Sequence, residues 1–167
     1  MTQFVALGFP DQTRIGEAIR AVEKFHSDHS GALYASAVVS KVADGKMAVQ
    51  EIIREGHGST VVAALIGALA GLPAGPAAAA IMAAGGAVIG EAADLISEDH
   101  FAECVNKITN SIPLGGAAVI ADVAEGDVPL FRTTMESAGG NAIALPPLGI
   151  SARTADRYSN RNSCARD

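Results

Sequence analysis

Four clusters in this chain hold residue types that do chemistry elsewhere. His26 and His29, with Asp28 between them, form an H-x-D-H run. Two imidazoles three residues apart share a helix face and offer half of a metal site, which a symmetry-related copy would complete. The plainer reading sets them at a helix end, where histidine suits the negative end of the helix dipole. His100 and Cys104 stand four apart with Glu103 adjacent, a spacing that fits one metal ion or a thiolate–imidazole pair. No acyl-transfer motif surrounds them, and Cys104 adjoins the apolar stripe of Phe101, Val105 and Ile108, which favours a buried structural thiol. Gly56-His57-Gly58-Ser59 has glycines of the kind that cradle phosphate before a helix. It lacks the lysine and spacing of a P-loop and reads better as a hinge. Asp122 and Glu125 could act as an acid/base pair, yet their place near a strand end favours solvated charges.

Nothing in the chain resembles a nucleotide fingerprint or a Ser-His-Asp set. The expectation is therefore of no catalytic residues and no cofactor. No metal is expected either, His26 and His29 being the candidates held in reserve.

The elements that would position these groups follow from periodicity. Gln3 to Phe9 is a short apolar run closed by Pro10, as in a buried strand. Asp11 is placed to cap a helix whose Ile15, Ile19 and Val22 recur at helical spacing, ending near His29 with Gly31 as the stop. Ala32 to Val42 and Lys46 to Ile53 are β-rich runs joined by the turn signal Asp44-Gly45. Ser97 is placed to cap a second helix carrying Phe101, Val105 and Ile108, which stops before Pro113. Gly115 to Val123 reads as a strand. Asp127 is placed to cap a third helix, with Pro129 in its first turn and Gly139-Gly140 at its end. Asn141 to Leu145 is a last strand, closed by Pro146-Pro147.

With residues 55 to 97 set aside, the order is β-α-β-β-α-β plus an added α-β unit. The expected fold class is α+β: a ferredoxin-like (split βαβ) sandwich, mostly antiparallel, with helices on one face. Residues 1–150 form one domain containing a 60–97 insert, and residues 151–167 form a tail. That tail carries four Arg, two Asp and one Tyr without apolar periodicity, so it reads as a solvated end or a lace onto a neighbouring subunit.

Composition narrows the function classes. The 167 residues carry a net charge of -6, which argues against general nucleic-acid binding. Hydrophobic residues make up 49% of the chain and exclude disorder as its dominant state. Mean hydropathy is +0.28, high for a solitary soluble domain. Two cysteines, Cys104 and Cys164, make no disulfide framework and suit a reducing compartment. Met1 to Pro10 shows no secretory signal, so the expected location is the cytoplasm or the cytoplasmic face of a membrane.

The middle of the chain is the most telling. Val61 to Gly90 contains no charged residue, but Pro73 and Pro76 break it. The natural reading is a helical hairpin. In the first arm Val62, Leu65, Leu69 and Leu72 form a bulky stripe, and Ala63, Gly67, Ala70, Gly71 and Ala74 form a smooth side. The second arm opposes Ile81, Met82, Val88, Ile89, Leu95 and Ile96 to Ala79, Ala83, Gly86, Gly90 and Ala93. Small residues at this spacing let helix backbones approach closely. The predicted self-association residues are Gly67, Gly71, Gly75, Ala79, Ala83, Gly86 and Gly90. Large side chains are sparse, and Glu91 and Asp94 fall on the small side, so the arms suit helix–helix contact better than deep insertion.

The segments Ala64-Leu-Ile-Gly-Ala-Leu-Ala-Gly71, Gly85-Gly86-Ala-Val-Ile-Gly90, Ser97-Glu-Asp-His-Phe101 and Pro113-Leu-Gly-Gly-Ala-Ala-Val-Ile120, with the Pro/Gly break, carry a family resemblance. Over roughly residues 3 to 147 the chain resembles the bacterial family catalogued as domain of unknown function 1269, often labelled membrane proteins. The resemblance implies a glycine-zipper insert in a small α/β domain and carries over no catalytic residue. The expected function is a non-enzymatic structural protein that forms homo-oligomers through the hairpin, its partner being a second copy of itself and not nucleic acid. A second reading uses the same hairpin at a membrane, with lipid as partner and with Leu65, Leu69, Leu72, Ile81, Val88 and Ile89 facing acyl chains. A third is a metal- or small-ligand-binding module built on His26 and His29.

Overall fold

The computed structural model describes residues 2–42, 44, 46–54, 60–71 and 98–145. In chain order these form β1 (Thr2–Phe9), α1 (Ile15–Asp28), β2 (Leu33–Lys41), β3 (Met47–Arg54) and α2 (Thr60–Gly71), followed by α3 (Glu98–Ser111), β4 (Ala117–Ala124), α4 (Val128–Ser137) and β5 (Asn141–Ile143). The chain is mixed α/β, with one five-stranded sheet in the order β3-β2-β4-β1-β5. Every neighbouring pair is antiparallel.

That order revises the partition expected from the sequence. β4 lies between β1 and β2, and β1 lies between β4 and β5. The units β1-α1-β2 and β4-α4-β5 are therefore each split by a strand of the other. The last α-β unit therefore completes one of these two interlocked units, with β5 at the sheet edge beside β1, instead of being an addition. What is added lies between β2 and β4: an edge strand, β3, and the helices α2 and α3.

The helices also do not share one face. Val5, Leu7, Phe9, Val119 and Val123 point to one side, where Val22 and Phe25 of α1 and Phe131 and Met135 of α4 cover them. Ala6, Val39, Ala118 and Ile120 point to the other, beneath Leu65 and Leu69 of α2 and Cys104 and Ile108 of α3. A strand covered on both faces reads as a continuous apolar run, and β4, Ala-Ala-Val-Ile-Ala-Asp-Val-Ala, is buried through its first seven residues.

Local signals account for most boundaries. Asp11 Oδ1 accepts the backbone N–H groups of Thr13 at 3.0 Å and Arg14 at 3.3 Å, closing a short 3-10 turn that leads into α1. Gly139 takes φ +91° and ends α4, a conformation that side chains with a Cβ rarely adopt. Asp127 does precede α4, but its side chain makes no capping bond. Pro129, which has no N–H to satisfy, stands in that first turn. β5 is shorter than the sequence suggests, pairing with β1 over Asn141–Ile143 only.

Two packing details fix how α2 lies. Val62 packs in a cluster with Ala35 and Ala37, and Leu65 and Leu69 share one with Val39 and Met47, so α2 runs along β2 from its first half towards its end. Ala64 packs against Phe101, which sets the early turns of α2 and α3 side by side. Lys41 at the end of β2 bonds carbonyls at the end of α3, so α3 runs the same way. The end of α2 and the start of α3 thus lie at opposite ends of the sheet. The second arm, with Gly75, Ala79, Ala83, Gly86 and Gly90, lies outside the described residues, as do Gly56–Ser59 and the tail 151–167.

Candidate functional site

His29, at the end of α1, is committed to packing. The His29 ring stacks on Phe25 with centroids 4.7 Å apart and planes at 24°. Phe25 in turn meets Phe131 of α4 edge-on at 5.1 Å. His29 Nδ1 lies 3.2 Å from the Phe25 carbonyl oxygen, where a protonated Nδ1 donates to it. This is the capping geometry that a helix end favours, and it takes one of the two ring nitrogens that a metal would use. His26 is half-buried on the same helix. Among the described residues, no group of three or more His, Cys, Asp or Glu side chains is placed to hold a metal ion.

Cys104 is fully buried in the α2–α3 layer. Burial pushes its thiol up to about 11, the neighbouring Glu103 carboxylate adds to the rise, and Lys107 opposes it. A thiol held that far from ionisation is a poor nucleophile and a poor metal ligand. Glu103 is instead paired with Lys107 at 3.0 Å, one turn along α3. The side chain of His100, the expected partner of Cys104, lies outside the described residues.

Asp122 departs most from expectation. It is only 6% exposed, in the middle of the sheet, where the sequence suggests a solvated strand end. In register it stands between Phe4 of β1 and Ala35 of β2, on the face that α2 covers. Burial raises its carboxyl to about 6, and a hydrogen bond with Thr2 works the other way. Helices on one face alone would leave the face carrying Asp122 open to water, and the second helical layer closes it. The strand pattern does carry a signal of this, since Asp122 shares parity with Ala118 and Ile120, both apolar. Its companion Glu125 is exposed in the 3-10 turn after β4, in contrast to the buried Asp122.

An open groove of about 700 Å³ lies at the far end of the sheet, between Phe9 and Pro10, the Lys107–Asn110 turn of α3 and Asn141–Ile143 of β5. Its size suits a small molecule. Its cation, Lys107, is already engaged by Glu103. None of the residues predicted to do chemistry lines it.

The predicted self-association face is only partially in view. Leu65 and Leu69 are completely buried against the sheet, and Val62 nearly so. Ala63, Gly67 and Ala70 are half-buried, whereas Gly71 is buried. The bulky stripe of α2 thus spends its apolar surface inside the domain; of the predicted small side, Gly71 is buried too, and Ala63, Gly67 and Ala70 stay partly exposed. None of the described helices is long and apolar enough to cross a membrane. No protein family, curated protein or solved structure matches the chain.

Proposed function

We propose that this protein is a non-enzymatic structural module that self-associates through its Gly/Ala-rich segment 60–97, carried on a ferredoxin-like sheet. The observation that carries this reading is the orientation of α2. Its stripe Val62, Leu65, Leu69 is buried in the domain, and Ala63, Gly67 and Ala70 remain partly exposed. A helix anchored by its large side chains keeps a smooth side on which another helix backbone can settle.

The connectivity supports the hairpin as well. The end of α2 and the start of α3 lie at opposite ends of the sheet, a separation that a returning second arm would span. The interlocked units β1-α1-β2 and β4-α4-β5 support the ferredoxin-like reading, with β3, α2 and α3 inserted between β2 and β4. In this scheme the sheet is the rigid base and the hairpin is the element that meets other copies, in keeping with the resemblance to the domain of unknown function 1269 family. Membrane attachment through Leu65 and Leu69 is disfavoured, since the sheet already covers both.

Gly67→Leu tests the proposal. A leucine there would hold neighbouring helix backbones apart and should reduce the mass of the assembly measured by light scattering. Unchanged mass in a folded variant would remove the small-residue face from the account.

A further inference from the structure

Among the described residues Asp122 is the one buried charged side chain. In register it stands between Phe4 and Ala35. Ala35 shares a cluster with Val62 of α2, and Phe4 and Ile66 pack against that cluster. The residues on both sides of Asp122 thus belong to the seat of α2's first turns. Thr2, the first residue of β1, hydrogen-bonds the carboxyl.

The elements around this carboxyl differ in how they are held. β4 is hydrogen-bonded along both edges, to β1 and to β2. α3 is tied to β2 by Lys41 Nζ, which donates to the Thr109 and Ile112 carbonyls. α2 rests on buried side chains, Val62, Leu65 and Leu69. None of the hydrogen bonds or ion pairs among the described residues joins it to the sheet. A segment held by few apolar contacts opens more easily than a paired strand, so the first turns of α2 are the readiest route for water to Asp122. Other charges near the site are few. β1 and α2 contain none. On β2, Tyr34 is the extra residue beside Ala35, and Lys41 lies at the opposite end. On β3, Arg54 is opposite Ala35 and Glu51 is opposite Ala37. α3 has Glu98, Asp99 and His100 in its first turn, with the Glu103–Lys107 pair beyond.

We propose that Asp122 is a pH-dependent latch on α2: protonated, it leaves the first turns of α2 seated on the sheet, and ionised, it makes them open more often. A neutral carboxyl fits this apolar seat with Thr2 as its partner. A carboxylate there lacks water, and opening α2 supplies it. Burial holds the carboxyl at about 6 in the closed form, against an ordinary 3.8 once water reaches it. Opening is therefore rarest below about pH 4, grows as pH rises to about 6 and levels off above, by about a hundredfold in all. What changes is the frequency of opening and not the resting fold. Leu65 and Leu69, which pack with Cys104, lie beyond the part that opens. The latch works within one chain and does not depend on self-association.

Native-state hydrogen exchange on the full-length protein at one fixed concentration tests the proposal. The amides to follow are Ala64, Leu65 and Ile66, which bond back to the first turn of α2. With rates corrected for the intrinsic pH dependence of exchange, their protection should fall about a hundredfold between about pH 4 and about pH 7. Low urea should barely change these rates, as expected of a local opening that exposes little surface. Asp122→Asn leaves every other charge in place. Its protection should be equal across that range and match the unsubstituted protein at the acid end. Three results would overturn the proposal. One is protection that does not vary with pH in the unsubstituted protein, and another is the same variation in Asp122→Asn. The third is exchange at these amides that rises with urea as steeply as at Val119 and Ile120 of β4, since the opening would then be global unfolding.

Discussion

Replacing Asp122 with Asn should stabilise the protein at neutral pH. Asp122 is 6% exposed, in register with Phe4 and Ala35 on the covered side of the sheet, and its folded-state value is about 6 against an ordinary 3.8. Below about pH 4 the group is protonated in both folded and unfolded chains and contributes nothing to the balance. As pH rises from about 4 to about 6, the unfolded chain gives up the proton while the folded chain keeps it. Stability then falls with pH, and it levels off once both forms are ionised. Two units at 1.36 kcal/mol each give a penalty of about 3 kcal/mol at pH 7. Asn keeps the shape and can still bond Thr2, without a charge to desolvate. The assay is urea unfolding of both proteins between pH 3.5 and 8, with the difference in stability plotted against pH. Asp11 and Asp44 are held below their usual value by hydrogen bonds to Thr13 and Lys46, and they tilt the curve the other way. Because they are common to both proteins, the difference cancels them. The two proteins should converge at the acid end, with Asn ahead by about 3 kcal/mol at pH 7, a rise in Tm of roughly 6–12 °C. A flat difference across that range, or a less stable Asn variant at pH 7, would refute the burial argument.

Two further predictions concern the α2–α3 layer. Lys41 Nζ donates to the Thr109 carbonyl at 3.2 Å and the Ile112 carbonyl at 3.4 Å, tying the end of α3 to β2. Lys41→Met keeps the aliphatic stem and loses these bonds, so the urea midpoint should fall by the equivalent of about 1 kcal/mol with an unchanged m-value. Cys104, buried and with its thiol pushed up to about 11, should resist iodoacetamide at pH 8 in the native protein and react in urea, as read by peptide mass mapping. Rapid native labelling of Cys104 would mean that the layer over it opens readily.

The local elements are legible in the sequence because local chemistry makes them. The Ile15, Ile19, Val22 spacing marks α1, Pro129 and Gly139 bracket α4, and Asp44 sits at the β2–β3 turn. What periodicity does not carry is which strands lie side by side. That β4 slots between β1 and β2 depends on contacts far apart in sequence, so the last α-β unit reads as an appendage until the sheet order is known. The two-sided cover of the sheet is visible in principle, since β4 has no polar alternation apart from Asp122. The competing signal is the stripe Val62, Leu65, Leu69, which reads as surface for a partner, whereas the sheet takes it. With that face dry, Asp122 changes from a solvated charge into the most perturbed carboxylate among the described residues. The histidines differ. The end-of-helix reading for His29 follows from its i, i+4 position relative to the Phe25 carbonyl, which any helix end would supply.

The central claim is self-association of this chain. It is tested most directly by size-exclusion chromatography with light scattering on the full-length, untagged protein in detergent-free buffer. The account predicts a discrete mass of more than one subunit. A protein that elutes at the 16.9 kDa of a single chain at every concentration would contradict it.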